Sequence, residues 1–88
     1  MGEGSTSGTK VTSEQIRAAR ALLRIEQKRL AESTGIALQT FKRLESLPGV
    51  LRTSYENAIS IQSSLEALGI EFIQGGVRLK PAETAEEV

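Results

Sequence analysis

The sequence predicts a mainly α domain: four short helices followed by a short C-terminal β-hairpin. Apolar residues recur at helical spacing in four separate stretches, and capping residues and glycines stand between those stretches. After Gly69 the pattern changes to two strand-like runs around a glycine pair. The chain has 88 residues, 39% of them apolar, so it makes one domain with a modest core, which suits packed helices better than an enzyme with a deep cleft.

The first helix is expected over residues 12–24. Thr12 caps it, and Gln15 three residues on completes a capping box. Ile16, Ala19 and Leu23 form its inward stripe with Leu22 beside them, while Arg17, Arg20 and Arg24 share another face as a basic stripe. A second helix covers residues 27–34, with Leu30 and Ala31 inward, and Gly35 breaks it. Ile36 returns to the core. A third helix over residues 37–46 buries Phe41 and Leu44. Pro48-Gly49 marks a turn. A fourth helix over residues 53–68 is capped by Thr53 with Glu56 closing a second box, and Gly69 stops it. Tyr55, Ala58, Ile59, Ile61, Leu65 and Leu68 give it an apolar face wide enough to reach across the other three helices. Residues 70–73 and 77–80 read as a hairpin turning through Gln74-Gly75-Gly76, and it must pack on the helices or pair with another chain, because an isolated hairpin is marginal.

The domain organisation follows. Residues 1–10 read as a disordered Gly/Ser/Thr-rich leader without the apolar stretch of a secretory signal. Residues 11–69 form the helical domain, 70–80 the hairpin, and 81–88 a disordered acidic tail carrying Glu83, Glu86 and Glu87.

Composition narrows function. The chain contains no cysteine, histidine or aspartate, so Ser-His-Asp and Cys-His catalysis, disulfide frameworks and the usual zinc sites are excluded. The eleven acids are all glutamates and, apart from Glu86-Glu87, are scattered singly, which argues against an enzyme. No cofactor or metal is expected. No apolar run is long enough to span a bilayer, and a cytoplasmic location fits the missing cysteines. Net charge is zero, but between residues 16 and 43 seven bases face only two acids, Glu26 and Glu32. On charge alone, solvated helix faces explain this as well as an anionic partner does.

The sharpest signal lies between Gln27 and Ser46. Leu30, Ile36, Phe41 and Leu44 lock two short helices together, Ala31 permits a close crossing, and Gly35 makes the turn. Such a helix-turn-helix leaves its second helix protruding toward a major groove while the first crosses the phosphate backbone. The run Gln27-Lys28-Arg29-Leu30-Ala31-Glu32-Ser33-Thr34-Gly35-Ile36, followed by Thr40-Phe41-Lys42-Arg43-Leu44-Glu45, resembles the Cro/lambda-repressor class of helix-turn-helix, the XRE family. The Ala/Arg/Leu-rich segment from Ile16 to Leu23 precedes it as in short bacterial regulators of that class. The likeness extends weakly over residues 11–80, with only the motif itself specific. It implies a four-helix lambda-repressor-like DNA-binding domain acting as a transcriptional regulator, a repressor, that binds double-stranded DNA as a dimer.

Position by position, the resemblance implies that Gln27 meets a phosphate and braces a recognition residue. Leu38, Gln39 and Thr40 occupy the exposed first turn of the recognition helix. Gln39 can pair with adenine and Leu38 can meet a thymine methyl. Lys42 and Arg43, one turn on, reach guanine or phosphate, and Arg17 and Arg52 touch backbone at the edges. Each has a plain alternative: surface for Gln39 and Thr40, core for Leu38, solvated charge for the bases. Glu45 serves the fold as a partner for a nearby base. Three places depart from the family pattern. Glu26 stands where Ser or Thr caps the second helix, Ala37 where a Ser caps the recognition helix, and Lys28 and Arg29 where acids are frequent. The first two weaken phosphate contact, whereas the last pair favours it. A homodimer is expected through helix 53–68 and/or the 70–80 hairpin. The alternative function is a protein-interaction or antitoxin-like module on the same fold, with a protein partner at the hairpin's free edge and weak or no DNA binding.

Overall fold

The structure, a computed structural model, describes residues 10–81. Residues 1–9 of the expected leader and 82–88 of the expected tail lie outside the described residues. Four helices and one hairpin are described: α1 (Ser13–Leu23), α2 (Gln27–Thr34), α3 (Leu38–Ser46), α4 (Tyr55–Ala67), β1 (Ile70–Ile73) and β2 (Gly76–Leu79).

Local chemistry explains each boundary. Thr12 caps α1 in the expected box: its hydroxyl accepts from Gln15 N at 3.1 Å, and the Gln15 carbonyl accepts from Thr12 N at 3.0 Å. α1 ends one residue early, because Arg24 takes a left-handed φ of 59° and closes a Schellman turn. Ile25 N donates to Arg20 O and Arg24 N to Ala21 O. α2 ends at Gly35, φ 80°, a conformation that a side chain disfavours. α4 corrects one expectation: Ser54, not Thr53, is its cap, accepting from Asn57 N at 3.1 Å. Thr53 instead accepts from the Asn57 side chain, and Glu56 closes no box. The hairpin corrects another. Its turn has two residues, Gln74-Gly75, and Gly76 pairs with Ile73 as the first residue of β2.

The elements pack as a closed ring. α1 lies on α3, α3 on α2, α2 on α4 and α4 on β1; β1 pairs with β2, and β2 returns to α1. Inside the ring Ile16, Leu30, Phe41, Ile61, Leu65 and Ile70 are fully buried. Ala31, Ile36 and Leu44 are buried as the motif requires. The inward face of α4 is narrower than expected. Ala58, Ile61 and Leu65 are buried, Tyr55 and Leu68 are exposed, and α4 meets chiefly α2 and β1 rather than all three helices. Leu22 also faces out. Helical spacing alone does not separate Tyr55 and Leu68 from the buried stripe, since Tyr55 precedes Ala58 by three and Leu68 follows Leu65 by three; they stand instead at the two ends of α4, its first residue and its C-cap.

Several ties join segments distant in the sequence. Val11 is buried, and its carbonyl accepts from Leu51 N at 3.0 Å, while Ser13 N donates to Gly49 O at 2.9 Å. Chain leading into α1 is therefore paired with the α3–α4 loop. The Ser60 and Ser64 hydroxyls of α4 donate to the Thr34 and Ser33 carbonyls at the end of α2, satisfying acceptors that the helix cannot. Gln15 is buried, and its amide nitrogen donates to Ile73 O at 2.9 Å and Gly76 O at 3.0 Å across the hairpin turn.

Ile61→Ala is expected to lose about 2–5 kcal/mol in urea unfolding, because it empties a fully enclosed site. Tyr55→Ala, at an exposed site, should stay within about 0.5 kcal/mol. Glu14, in the first turn of α1, accepts from its own helix backbone and from Gly49 N at 3.2 Å, which holds its carboxyl below the ordinary 4.5. A depressed folded-state pKa stabilises the fold above the ordinary range and is lost as pH falls through the folded value. Urea midpoints of wild type and Glu14→Gln should therefore differ at neutral pH and converge in acid.

Candidate nucleic-acid interface

α3 turns one face to the core and one to solvent. Phe41, Leu44 and Glu45 are buried, while Gln39, Lys42, Arg43 and Ser46 are exposed with half-buried Thr40 among them. These five polar residues line a shallow open depression along the outer side of the helix. Residues three and four apart stand one above another on a helix, so Gln39, Lys42, Arg43 and Ser46 form a continuous ridge.

The inward face contains a carboxylate. Glu45 is 3% exposed. Arg20 of α1 grips it with two bonds, Nε to Oε2 at 2.6 Å and Nη2 to Oε1 at 2.9 Å. Gln27 of α2 donates its amide to the same Oε1 at 2.9 Å. Arg17 donates to the Glu45 backbone carbonyl, near the C-terminal end of α3. Arg20 also donates to Ile25 O at 3.2 Å, which fixes the α1–α2 link. A buried carboxylate without partners costs several kcal/mol, so paired fork geometry is needed for α3 to sit here at all.

The expected contact residues fall into two groups. Lys28, Ala37, Gln39, Lys42, Arg43 and Arg52 are exposed, and Thr40 is half-buried beside them. None of the four bases in this set has an ion pair within the described residues. The others are drawn into the fold. Leu38 is half-buried and packed against the core, so it is not the freely exposed residue expected of the first turn. Gln27 is committed to Glu45. Arg17 is tethered to the α3 terminus and lies 3.9 Å from Glu14. The basic stripe of α1 is accordingly only partly free: Arg17 and Arg24 remain exposed, while Arg20 is half-buried against Glu45. Arg17 and Arg20 turn toward α3, and Arg24 ends the helix. The helix period predicted a shared face but not what occupied it. The sequence had one signal for the clamp, a glutamate at the i+4 position from Phe41 on the inward stripe, where a charge demands a partner.

The helix starts behave as their residues imply. Neither Glu26 nor Ala37 makes a side-chain capping bond, so the first backbone N–H groups of α2 and α3 lack side-chain acceptors at the cap. Among the described residues no three metal-ligating side chains come together, and no helix is long and apolar enough to cross a membrane. No protein-family model, curated protein or solved structure matches the chain.

Arg20→Ala should strand the Glu45 carboxylate and lower urea stability by about 3 kcal/mol. Arg17→Ala, which removes a bond to a carbonyl at a half-exposed edge, should cost about 1 kcal/mol or less.

Proposed function

We propose that this chain is a sequence-specific DNA-binding regulator of the Cro/lambda-repressor type, a repressor that places α3 in the major groove. The observation that carries this reading is the α3 ridge. Gln39, Lys42, Arg43 and Ser46 are uncovered by any described element, on a helix whose opposite face is locked through Glu45. A helix of this kind fits a major groove about 12 Å wide, where Gln matches adenine and Arg matches guanine. Lys28 and the uncapped start of α2 lie on the element that crosses the backbone, and free N–H groups there suit phosphate. The Glu26 carboxylate opposes that contact. One motif reads about half a turn of duplex, so the protein acts as a homodimer. Exposed Tyr55 on α4, Leu68 just past its end, and Ile73 and Leu79 on the hairpin supply apolar surface for the second copy.

The second reading is a protein-interaction module, favoured by the hairpin. Each strand has a single partner, so both outer edges can accept a strand from another chain. Recovery of a protein partner on immobilised chain, with no retention of duplex, would establish it in place of the first.

Selection of random duplexes should yield two half-sites about 10 base pairs, one helical turn, apart. Their affinity should fall steeply with salt, since each neutralised phosphate releases counterions. Gln39→Ala should relax preference at one position by about 1–3 kcal/mol, whereas Arg43→Ala, if its partner is a phosphate, weakens all sequences alike. Binding that ignores salt, or no duplex binding, rejects the reading.

A further inference from the structure

The segment leading into α1, the C-terminal half of α4 and the hairpin turn border a cleft of about 460 Å³. None of its walls comes from α2 or α3, so it is separate from the α3 ridge. Its size lies within the range of about 300–1,000 Å³ that holds small organic ligands. Val11, Phe72 and Ile73 supply apolar wall. Gln15 shapes the cleft but offers it no free group, because both ends of its amide are already bonded.

Gln62 and Glu66 differ from Gln15. They stand on successive turns of α4, and the Gln62 nitrogen donates to Glu66 Oε2 at 3.0 Å. That bond aims the carboxylate while leaving its second oxygen unused. The Gln62 carbonyl oxygen is buried and accepts no hydrogen bond. Glu66 has no basic partner within ion-pair distance among the described residues. One oxygen of the Glu66 carboxylate and the Gln62 carbonyl oxygen are thus left without a donor, on two residues that line the cleft beside its apolar wall. A buried or half-buried acceptor is costly to leave unmatched, and an anionic one doubly so. The last torsion of a glutamine is soft, so the Gln62 amide can turn its oxygen toward the cleft by giving up its own bond to Glu66, which a bound donor replaces.

We propose that this cleft binds a primary ammonium carried on an apolar body. The ammonium donates to the Glu66 carboxylate and the Gln62 carbonyl, and the body lies against Phe72 and Ile73. Both a plain alkyl- or arylalkylamine and the amino acid with the same side chain bring this chemistry. Exposed Lys10 at the cleft separates the two, since it attracts the carboxylate of an amino acid and repels an amine. The site stands independently of DNA binding.

The test is an NMR titration of the full ¹⁵N-labelled chain. Isoamylamine and phenethylamine are compared with leucine and phenylalanine, and with isovalerate and phenylacetate, which keep the apolar body and lack the ammonium. At least one ammonium compound is expected to shift the amides of Gln62, Glu66 and Phe72 saturably in the millimolar range or tighter, with the acids inert. Glu66→Gln should weaken that binding about tenfold or more, the loss of a charge-assisted bond. Tighter binding of the amino acids, abolished by Lys10→Ala, assigns the ligand to that source; tighter binding of the amines assigns it to the other. The proposal is overturned if the acids bind as well as the ammonium compounds, if nothing saturates, or if a folded Glu66→Gln binds unchanged. Comparison of ammonium compounds with acids on the unaltered chain decides the matter even if that variant does not fold.

Discussion

A single buried carboxylate sets the orientation of α3. Glu45 is enclosed at the meeting point of α1, α2 and α3, and each of the first two helices sends a side chain to it. Apolar contacts among Leu30, Ile36, Phe41 and Leu44 hold the helices together, but such contacts are non-directional and tolerate small rotations. The Arg20 fork does not, because two parallel bonds require a fixed plane and distance. A hydrophobic replacement of the whole cluster can be as stable as the ion pair. What the cluster adds is a defined rotation of α3, and that rotation decides which residues face outward.

The same clamp redistributes charge. The sequence places a concentration of bases on α1, yet half-buried Arg20 and the more exposed Arg17 are both bonded to α3. Among the described residues, the bases between α1 and α4 left exposed and without ion pairs are Arg24 at the end of α1, Lys28 and Arg29 on α2, Lys42 and Arg43 on α3, and Arg52 on the following loop. A chain with no net charge can therefore present a local positive surface, because the fold sorts its charges. Glu26 at the start of α2 stays on the exposed side and offsets part of it.

Much of this fold was legible because its signals are local. The Thr12–Gln15 box, the Gly35 break and the Gly69 stop each act within one turn of chain, and the buried positions of α2 and α3 follow helix period. What stayed hidden is non-local or nearly degenerate. Thr53 and Ser54 are adjacent hydroxyls of similar capping strength, and the approach of the chain to α4 selects the second. Leu38 sits between core and solvent, where period alone does not decide. Pairing of Val11 with Leu51, and the reach of Gln15 to the hairpin, leave no pattern in the sequence, since hydrogen bonds between distant segments have no period. For the candidate interface, helix period accounts for the exposure of Gln39, Lys42 and Arg43, opposite Phe41 and Leu44, while the placement of Arg17 and Gln27 depends on Glu45.

The hairpin is the least self-sufficient element, and the ring closes through it. Two short strands are marginal alone, and the outer face of this pair is secured only by the exposed Glu71–Arg78 ion pair. Its stability comes from Ile70, fully buried beneath it, and from Gln15, which bonds both carbonyls flanking the turn. α1 therefore has two duties at sites five residues apart, roughly 8 Å along the helix. Gln15 holds the hairpin and Arg20 holds α3. A helix moves as a packed unit, not by bending between neighbouring turns, so the hairpin and α3 share one support. Displacement of α1 at its hairpin end must shift the guanidinium on which the Glu45 carboxylate rests.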